Sequence, residues 1–172
     1  LCGTMSVGKT TLVNALKELE QFKGYKFATE RSQHLMSLGI PLNTDSTLKG
    51  QTVFLAERCG ELMHNSIITD RTILDVMAFT MNAKSIPYQD KEAFETYASE
   101  FIREYDYIFY ISPHGLEIED NGVRETDEHY RDLIDFTITT LIKRHGHKAG
   151  AIEKISGSTE ERIQQILNVT KL

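Results

Sequence analysis

The sequence predicts an α/β fold, in which helices cover both faces of a parallel sheet of about five strands. Short apolar segments rich in β-branched and aromatic residues alternate along the chain with longer segments of helical periodicity. A glycine-rich turn also separates the first residues from the first helical segment. A chain of 172 residues and 19.6 kDa has the length of one such domain. We therefore expect residues 1–172 to form a single three-layer α/β/α domain.

The first predicted helix and strand bring charged residues to one edge of the sheet. Apolar residues at helical spacing predict a helix from Lys9 to Glu20, which ends before the helix breaker Gly24. The segment Tyr25–Thr29 is then a short strand, and Glu30 and Arg31 follow at its carboxyl end. A short helix from Ser32 to Leu38 should come next.

A longer helix is predicted to run to about His64, after one of the candidate N-caps Asn43, Thr44, Asp45 and Ser46. Its predicted inward stripe consists of Leu48, Thr52, Leu55, Ala56, Cys59, Leu62 and Met63. Gln51, Phe54 and Arg58 lie a turn apart on the same helix, and they either line a pocket for a base or belong to an ordinary amphipathic helix. The apolar segment Ser66–Thr69 is predicted to be a buried strand that ends at Asp70.

The second half of the chain repeats the alternation. Ile73–Met81 and a segment capped by Asp90 are predicted helices, and Tyr107–Ile111 is the strongest predicted strand. A helix should begin at Thr126 or Asp127, with the inward residues Tyr130, Leu133, Ile134, Ile138, Leu141 and Ile142. Ala151–Ile155 is the last predicted strand, and a capping box of Ser158 and Glu161 begins the last helix. Ser156, Gly157 and Ser158 either contact an adenine ring or serve only that cap.

Gly3 to Thr10 fit the phosphate-binding pattern G-x-x-x-x-G-K-[ST] of a P-loop. Gly3 and Gly8 allow the backbone to turn so that successive N–H groups point at one anion. Lys9 is expected to reach the β- and γ-phosphates of ATP, and the Thr10 hydroxyl to bind Mg²⁺. Since a helix pattern follows at once, we favour a P-loop over a chance glycine-rich turn. The expected nucleotide-binding residues are Gly3, Thr4, Met5, Ser6, Val7, Gly8, Lys9, Thr10 and Thr11. Only Leu1 and Cys2 precede the motif, so we expect the first strand to be truncated.

Two carboxylates end predicted strands and are candidates for the chemistry of phosphoryl transfer. We expect Asp70 to serve Mg²⁺ beside the P-loop, and Glu30 to act as the base that orients the acceptor hydroxyl, with the reverse assignment open. Glu30 would otherwise form a surface ion pair with Arg31 or a nearby Lys. Arg31 and Arg71 are candidate acceptor ligands, although Arg71 would also suit a simple ion pair with an acid.

If this P-loop serves transfer to an acceptor, as in a kinase, the site must exclude water from the γ-phosphate. It then needs a lid that carries cations. The glycine-bearing acidic loop before the helix at Asp127 suits that role, and we place the lid at about residues 115–131. Arg124 is the candidate catalytic cation and Arg131 a candidate phosphate ligand. The alternative is that both arginines are solvated charges that balance the neighbouring acids.

Composition narrows the function further. The formal net charge of −6 disfavours a general nucleic-acid binder, and no N-K-x-D motif supports a guanine site. The apolar segments are too short to cross a bilayer, so no membrane association is expected. Two cysteines, Cys2 and Cys59, do not form a disulfide framework, which favours the reducing cytoplasm.

The P-loop, the Thr29-Glu30-Arg31 segment, the Ile68–Thr72 segment and the Asp120–Arg124 segment together resemble a known group. This group comprises the small AAA-type P-loop ATPase and kinase domains typified by the ribosylnicotinamide kinase domain of the NAD-salvage regulator, and it includes stand-alone bacteriophage members. The resemblance implies ATP and Mg²⁺ as cofactors, and, for a phage protein, the host cytoplasm.

We therefore expect an ATP- and Mg²⁺-dependent kinase that acts on a nucleoside, a nucleotide or a ribosylnicotinamide-like acceptor. A polynucleotide or modified-base DNA kinase of phage type is the alternative within that class, although the acidic charge favours a small acceptor. A nucleotide-binding ATPase or switch without a small-molecule acceptor is the alternative outside it. The oligomeric state does not follow from these patterns.

Overall fold

The computed structural model describes residues 1–29, 32–116 and 127–172. The helices within these ranges are α1 (Lys9–Lys17), α2 (Ser32–Ser37), α3 (Leu48–Glu61), α4 (Ile73–Asn82), α5 (Tyr88–Ala98), α6 (Glu128–His145) and α7 (Thr159–Thr170). The strands are β1 (Lys26–Ala28), β2 (Ile67–Thr69), β3 (Tyr107–Ile111) and β4 (Ala151–Ile155). Strands and helices alternate in the order that the sequence predicts.

The strands form two parallel pairs that Leu1 and Cys2 join. Strand β1 pairs with β2, and β3 pairs with β4. Between them, the Leu1 nitrogen donates to the Thr69 carbonyl (2.6 Å), and Cys2 exchanges backbone hydrogen bonds with Phe109 and Ile111 (2.9 Å each). The order across the sheet is therefore β1, β2, the Leu1–Cys2 segment, β3 and β4, so the P-loop begins at the centre of the sheet.

The two faces of the sheet carry separate hydrophobic clusters, and β3 contributes to both by alternation. Ile108 and Tyr110 face the cluster that contains buried residues of α3, α4, α5 and α6. Phe109 and Ile111 face the cluster that contains buried residues of α1 and α7. The predicted three-layer α/β/α fold is thus confirmed. In the part of the chain that the structure describes, no helix is both long and apolar enough to span a bilayer.

The inward face of α3 differs from the prediction. Thr52 and Ala56 are exposed and Met63 is 81% exposed, whereas Gln51 and Arg58 are buried together with Leu55. Hydrophobicity patterns miss Arg58 because its burial depends on an ion pair with Glu61 (2.6 Å). The buried face of α3 is therefore partly polar.

Smaller differences concern the helix caps and one residue of α6. Thr47, the residue after the predicted candidates, caps α3 by accepting a hydrogen bond from the Gly50 N–H (3.1 Å). Helix α5 begins at Tyr88, so Asp90 lies in its first turn rather than at its N-cap. Leu133 of α6 is 41% exposed, although the prediction placed it inward. Asp127 caps α6, and the capping box of Ser158 and Glu161 is present.

Candidate functional site: a phosphate loop and its supports

The segment from Gly3 to Gly8 forms a concave backbone turn. Gly3, Ser6 and Gly8 have positive φ angles of 150°, 57° and 78°. A Cβ on Gly3 would lie only 2.6 Å from the Ile111 carbonyl oxygen, so this position requires glycine. Ser6 and Gly8 are left-handed, and left-handed residues spaced along a turn are typical of the anion-binding nests that backbone N–H groups form.

The first turn of α1 adds to this concave turn. Gly8 is the N-cap of α1, and no described side chain caps the helix there. The first N–H groups of a helix have no partner within it, and they carry the positive end of the helix dipole. Thr10 and Thr11 in this turn are exposed. The start of α1 is therefore suited to bind a phosphate group.

Lys9 is buried beneath the loop. Its side chain is only 6% exposed, and its ammonium group donates to the Gly3 and Thr4 carbonyls (2.7 Å each). These bonds use two of the three N–H donors of the group. Burial lowers the pKa of Lys9, and the neighbouring Arg71 lowers it further. Lys9 thus places a desolvated positive charge against the loop.

Asp70 lies immediately after β2 and next to the loop. The Thr10 hydroxyl donates to its carboxylate, and the Asp70 side chain is 1% exposed. Its backbone N–H donates to the Ala28 carbonyl (2.9 Å), which continues the ladder between β1 and β2 beyond the strand ends. A hydroxyl and a carboxylate in contact are the oxygen ligands that Mg²⁺ takes from a protein when phosphates supply the rest. Among the described residues, no group of three or more His, Cys, Asp or Glu side chains could hold a metal ion alone.

Arg71 lies between an acid and an aromatic ring. Its Nη1 atom is 3.9 Å from Asp75 Oδ1, and its guanidinium carbon is 5.0 Å from the centre of the Phe79 ring. The side chain is 18% exposed, so this cation is held near the surface, next to Asp70 along the chain.

Asp75 is a residue of the site that the sequence analysis did not identify. Its carboxylate is completely buried and forms a capping box with Thr72 at the start of α4. Its Oδ1 atom also accepts the Gly3 N–H (3.0 Å). The pattern T-x-x-D signals the cap, but no local pattern signals the contact with Gly3.

Arg162 of α7 is a second missed residue. Its Nη1 atom donates to the Val7 carbonyl (2.8 Å), and the side chain is 7% exposed. Burial lowers the pKa of this guanidinium. Because Arg162 contacts Val7 from a distant part of the sequence, the P-loop motif does not reveal this support.

The start of α6 also reaches the loop. The Thr4 hydroxyl lies 3.4 Å from the Arg131 carbonyl oxygen, and Arg131 Nη1 donates to the Leu116 carbonyl (2.7 Å). The Arg131 side chain is 9% exposed. Arg131 is therefore beside the P-loop. Three other predicted site residues, Glu30, Arg31 and Arg124, lie outside the described residues.

The proposed adenine contact after β4 is occupied by contacts within the protein. Gln165 bonds to both the N–H and the carbonyl of Ser156 (3.2 and 2.8 Å), and the Ser158 N–H donates to Glu161 (2.7 Å). The capping function of this segment therefore accounts for these backbone groups.

Comparisons with known proteins agree with this architecture. Residues 1–162 match the family model AAA_28, which is described as an AAA domain. No curated protein sequence matches the chain. Among solved structures, the fold is similar to deoxyadenosine kinase from M. mycoides with bound dCTP, at 18% identity and a TM-score of 0.66, over 99% of this chain and 96% of that one.

A second structure of deoxyadenosine kinase from M. mycoides, with the products dCMP and a flexible dCDP bound, gives a similar result. The identity is 18% and the TM-score 0.65, over 98% of this chain and 96% of that one. At this identity, the likeness establishes the fold. Since the family match spans residues 1–162, the chain belongs to the AAA_28 family of AAA domains.

Proposed function

We propose that this protein is a P-loop kinase that transfers the γ-phosphoryl group of ATP to a nucleoside-like acceptor. The observation that carries the proposal is the contact between the Thr10 hydroxyl and the Asp70 carboxylate, next to the buried ammonium group of Lys9. This arrangement puts a cation and metal-binding oxygens at one end of a phosphate loop, and phosphoryl transfer requires both.

On the donor side, the loop backbone and α1 would bind the phosphates. The N–H groups around Ser6 and Gly8 would hold the β-phosphate, and Lys9 would stabilise the negative charge that develops on the transferring group. Lys9 is effective there because its charge is shielded from water, since the side chain is 6% exposed.

Thr10 and Asp70 would hold Mg²⁺ between the protein and the phosphates. Their contact and the burial of Asp70 fit a small, oxygen-preferring cation that keeps phosphate oxygens and water as its other ligands. When bound, this ion would neutralise charge on the phosphate oxygens. The protein supplies the hydroxyl and the carboxylate that fix its position.

On the acceptor side, Arg71 would bind a phosphate or sugar oxygen of the acceptor, with Arg31 as a second candidate. Glu30, which follows β1 in the sequence, would orient the acceptor hydroxyl and take its proton. The structural neighbour with bound dCTP supports a nucleoside or nucleotide acceptor. A ribosylnicotinamide-like acceptor and membership of the phage branch of the family are further parts of the proposal, as is action in the cytoplasm.

Residues 115–131 would form the lid. Arg131 supports this assignment because its backbone lies against Thr4 of the P-loop. In the proposed closed state, Arg124 would stabilise the transferring phosphoryl group and Arg131 would hold the nucleotide phosphates, while the lid excludes water.

The experiment is γ-phosphoryl transfer from labelled ATP with Mg²⁺, measured against nucleosides, nucleotides, ribosylnicotinamide and short DNA. We expect label to move to one class of small acceptor, and Lys9→Ala to lower that rate about a hundredfold or more, because it removes the cation from the phosphate loop.

Gln51 and Arg58, both on the buried face of α3, are candidates to line the acceptor pocket.

Transfer to DNA ends alone would instead support the polynucleotide alternative. Label released only as free phosphate, at a rate that no acceptor changes, would contradict the kinase and favour the ATPase or switch. Lys9→Ala tests whether any observed rate belongs to this site.

A further inference from the structure

The carboxylate of Asp75 links two parts of the site that bind different substrates in the proposed reaction. We infer that Asp75 is a positioning residue that fixes the position of Arg71, on the acceptor side, relative to Gly3 of the phosphate loop. This inference rests on the proposed kinase function, since it assigns Arg71 to the acceptor.

The two oxygens of Asp75 have different partners. The Oδ2 atom accepts both donors of Thr72, the backbone N–H at 2.8 Å and the hydroxyl at 2.7 Å. These two bonds complete the cap of α4. The Oδ1 atom accepts the Gly3 N–H at 3.0 Å and lies 3.9 Å from Arg71 Nη1. A cap needs only one oxygen, so the contacts of Oδ1 go beyond what the helix requires.

The contact with Gly3 helps to fix the first residue of the phosphate loop. Asp75 holds its N–H, and Lys9 holds the carbonyl of the same residue (2.7 Å). Because a side chain at Gly3 would strike the Ile111 carbonyl, this residue has little room to move toward β3. A shift of Asp75 would therefore be transmitted to the loop at its start.

The contact with Arg71 is an ion pair with the acceptor cation of the proposed reaction. Asp75 is completely buried, so water screens its charge little, and it attracts the guanidinium across 3.9 Å without a direct hydrogen bond. The Phe79 ring, 5.0 Å from the guanidinium carbon, confines Arg71 further. The same carboxylate oxygen thus binds the N–H at the start of the phosphate loop and lies nearest to the guanidinium of Arg71.

The test compares Asp75→Asn, Arg71→Met and the double variant, with Thr72→Val as the matched control. Each protein is assayed for the KM of the acceptor found in the transfer panel, for the Kd of the fluorescent nucleotide mant-ATP, and for urea unfolding. Thr72→Val removes one donor to Oδ2 but leaves both contacts of Oδ1 intact, so it tests the capping role alone.

We expect Asp75→Asn to raise the acceptor KM about tenfold and the mant-ATP Kd several-fold, since both the charge and one acceptor oxygen are lost. In the Arg71→Met background, the same change should leave the acceptor KM nearly unaltered, because Asp75 acts on the acceptor through Arg71. Thr72→Val should lose stability while both constants stay near those of the wild type.

An Asp75→Asn protein that loses stability but keeps the acceptor KM and the mant-ATP Kd would overturn the inference and leave the kinase intact. Additive effects on the acceptor KM in the double variant would also overturn it. A wild-type protein that binds mant-ATP but phosphorylates no acceptor would instead contradict the proposed function, and this inference with it.

Discussion

The two ends of the phosphate loop are held by side chains of opposite charge, one bound to a backbone N–H and the other to a backbone carbonyl. At the start, the Asp75 carboxylate accepts the N–H of Gly3 (3.0 Å). At the end, the Arg162 guanidinium donates to the carbonyl of Val7 (2.8 Å). Asp75 takes only the N–H at the start of the loop and Arg162 takes only a carbonyl, so neither side chain uses an N–H group of the loop centre. The two supports of this phosphate loop therefore do not compete with a phosphate for the loop centre.

The largest effect is expected where the start of the loop is most crowded. Gly3→Ala would place a Cβ 2.6 Å from the Ile111 carbonyl oxygen at a φ of 150°. We expect a loss of about 3 kcal/mol or more in the free energy of unfolding, and no detectable mant-ATP binding. Urea unfolding and fluorescence titration measure the two effects.

Gly24→Ala is the control for Gly3→Ala, since Gly24 also has a positive φ of 95° but no atom within 4 Å of an added Cβ. It should cost only about 1 kcal/mol and leave the mant-ATP Kd unchanged. Equal losses in the two variants would show that the close approach to Ile111 does not matter.

The next effect concerns Lys9, which donates to the Gly3 and Thr4 carbonyls at the start of the loop. Burial lowers the pKa of Lys9 from the ordinary 10.5. As the pH rises above this lowered pKa, Lys9 loses its charge, and we expect mant-ATP affinity to fall by up to about tenfold per pH unit. The folded protein binds this proton less tightly than the unfolded chain, so the contribution of Lys9 to the free energy of unfolding, measured as the difference between the wild type and Lys9→Arg, should rise with pH over the same range. The opposite trends distinguish deprotonation from general unfolding. If Lys9→Arg showed the same fall in mant-ATP affinity at alkaline pH, the fall would not come from deprotonation of Lys9.

A smaller effect is expected at the other end of the loop. Arg162→Met keeps the apolar stem of the side chain but removes the donor to Val7. Since a hydrogen bond from a charged group typically contributes about 1.5–3 kcal/mol, we expect roughly a tenfold weaker mant-ATP affinity. An unchanged Kd would mean that the end of the loop needs no support from α7.

The smallest effect is expected for Ser158→Ala, which also controls for Arg162→Met. It weakens the capping box of α7 without touching the hydrogen bond from Arg162. We expect a cost of about 1 kcal/mol in unfolding and a mant-ATP Kd within about twofold of the wild type. A larger loss of affinity would show that Arg162 acts through the stability of its helix.

The sequence alone predicted the parts of this arrangement that depend on local patterns. The P-loop spacing, the strand Tyr107–Ile111 and the cap at Ser158 were all recognisable, because each involves neighbours along the chain. The supports could not be predicted in the same way. Gly3 and Asp75 are 72 positions apart, and Val7 and Arg162 are 155 apart, so only the folded sheet brings them together.

The error on α3 has a related cause. Arg58 is 3% exposed, yet a hydrophobicity pattern places any arginine outside. Its ion pair with Glu61 makes the burial possible, and pairing of this kind is not visible in periodicity. Hydrophobic periodicity therefore fails at polar residues whose burial depends on a partner. Several residues of the candidate site, such as Asp75 and Arg162, are buried in the same way.

The burial of Cys2 makes the thiol a probe of motion at the centre of the sheet. Cys2 directly precedes the phosphate loop and has no exposed surface, and burial raises the pKa of its thiol well above the ordinary 9.0. Only a thiolate that reaches solvent reacts with an alkylating reagent. The alkylation rate of Cys2 therefore reports how often the sheet opens beneath the loop, and a nucleotide that tightens the loop should slow it.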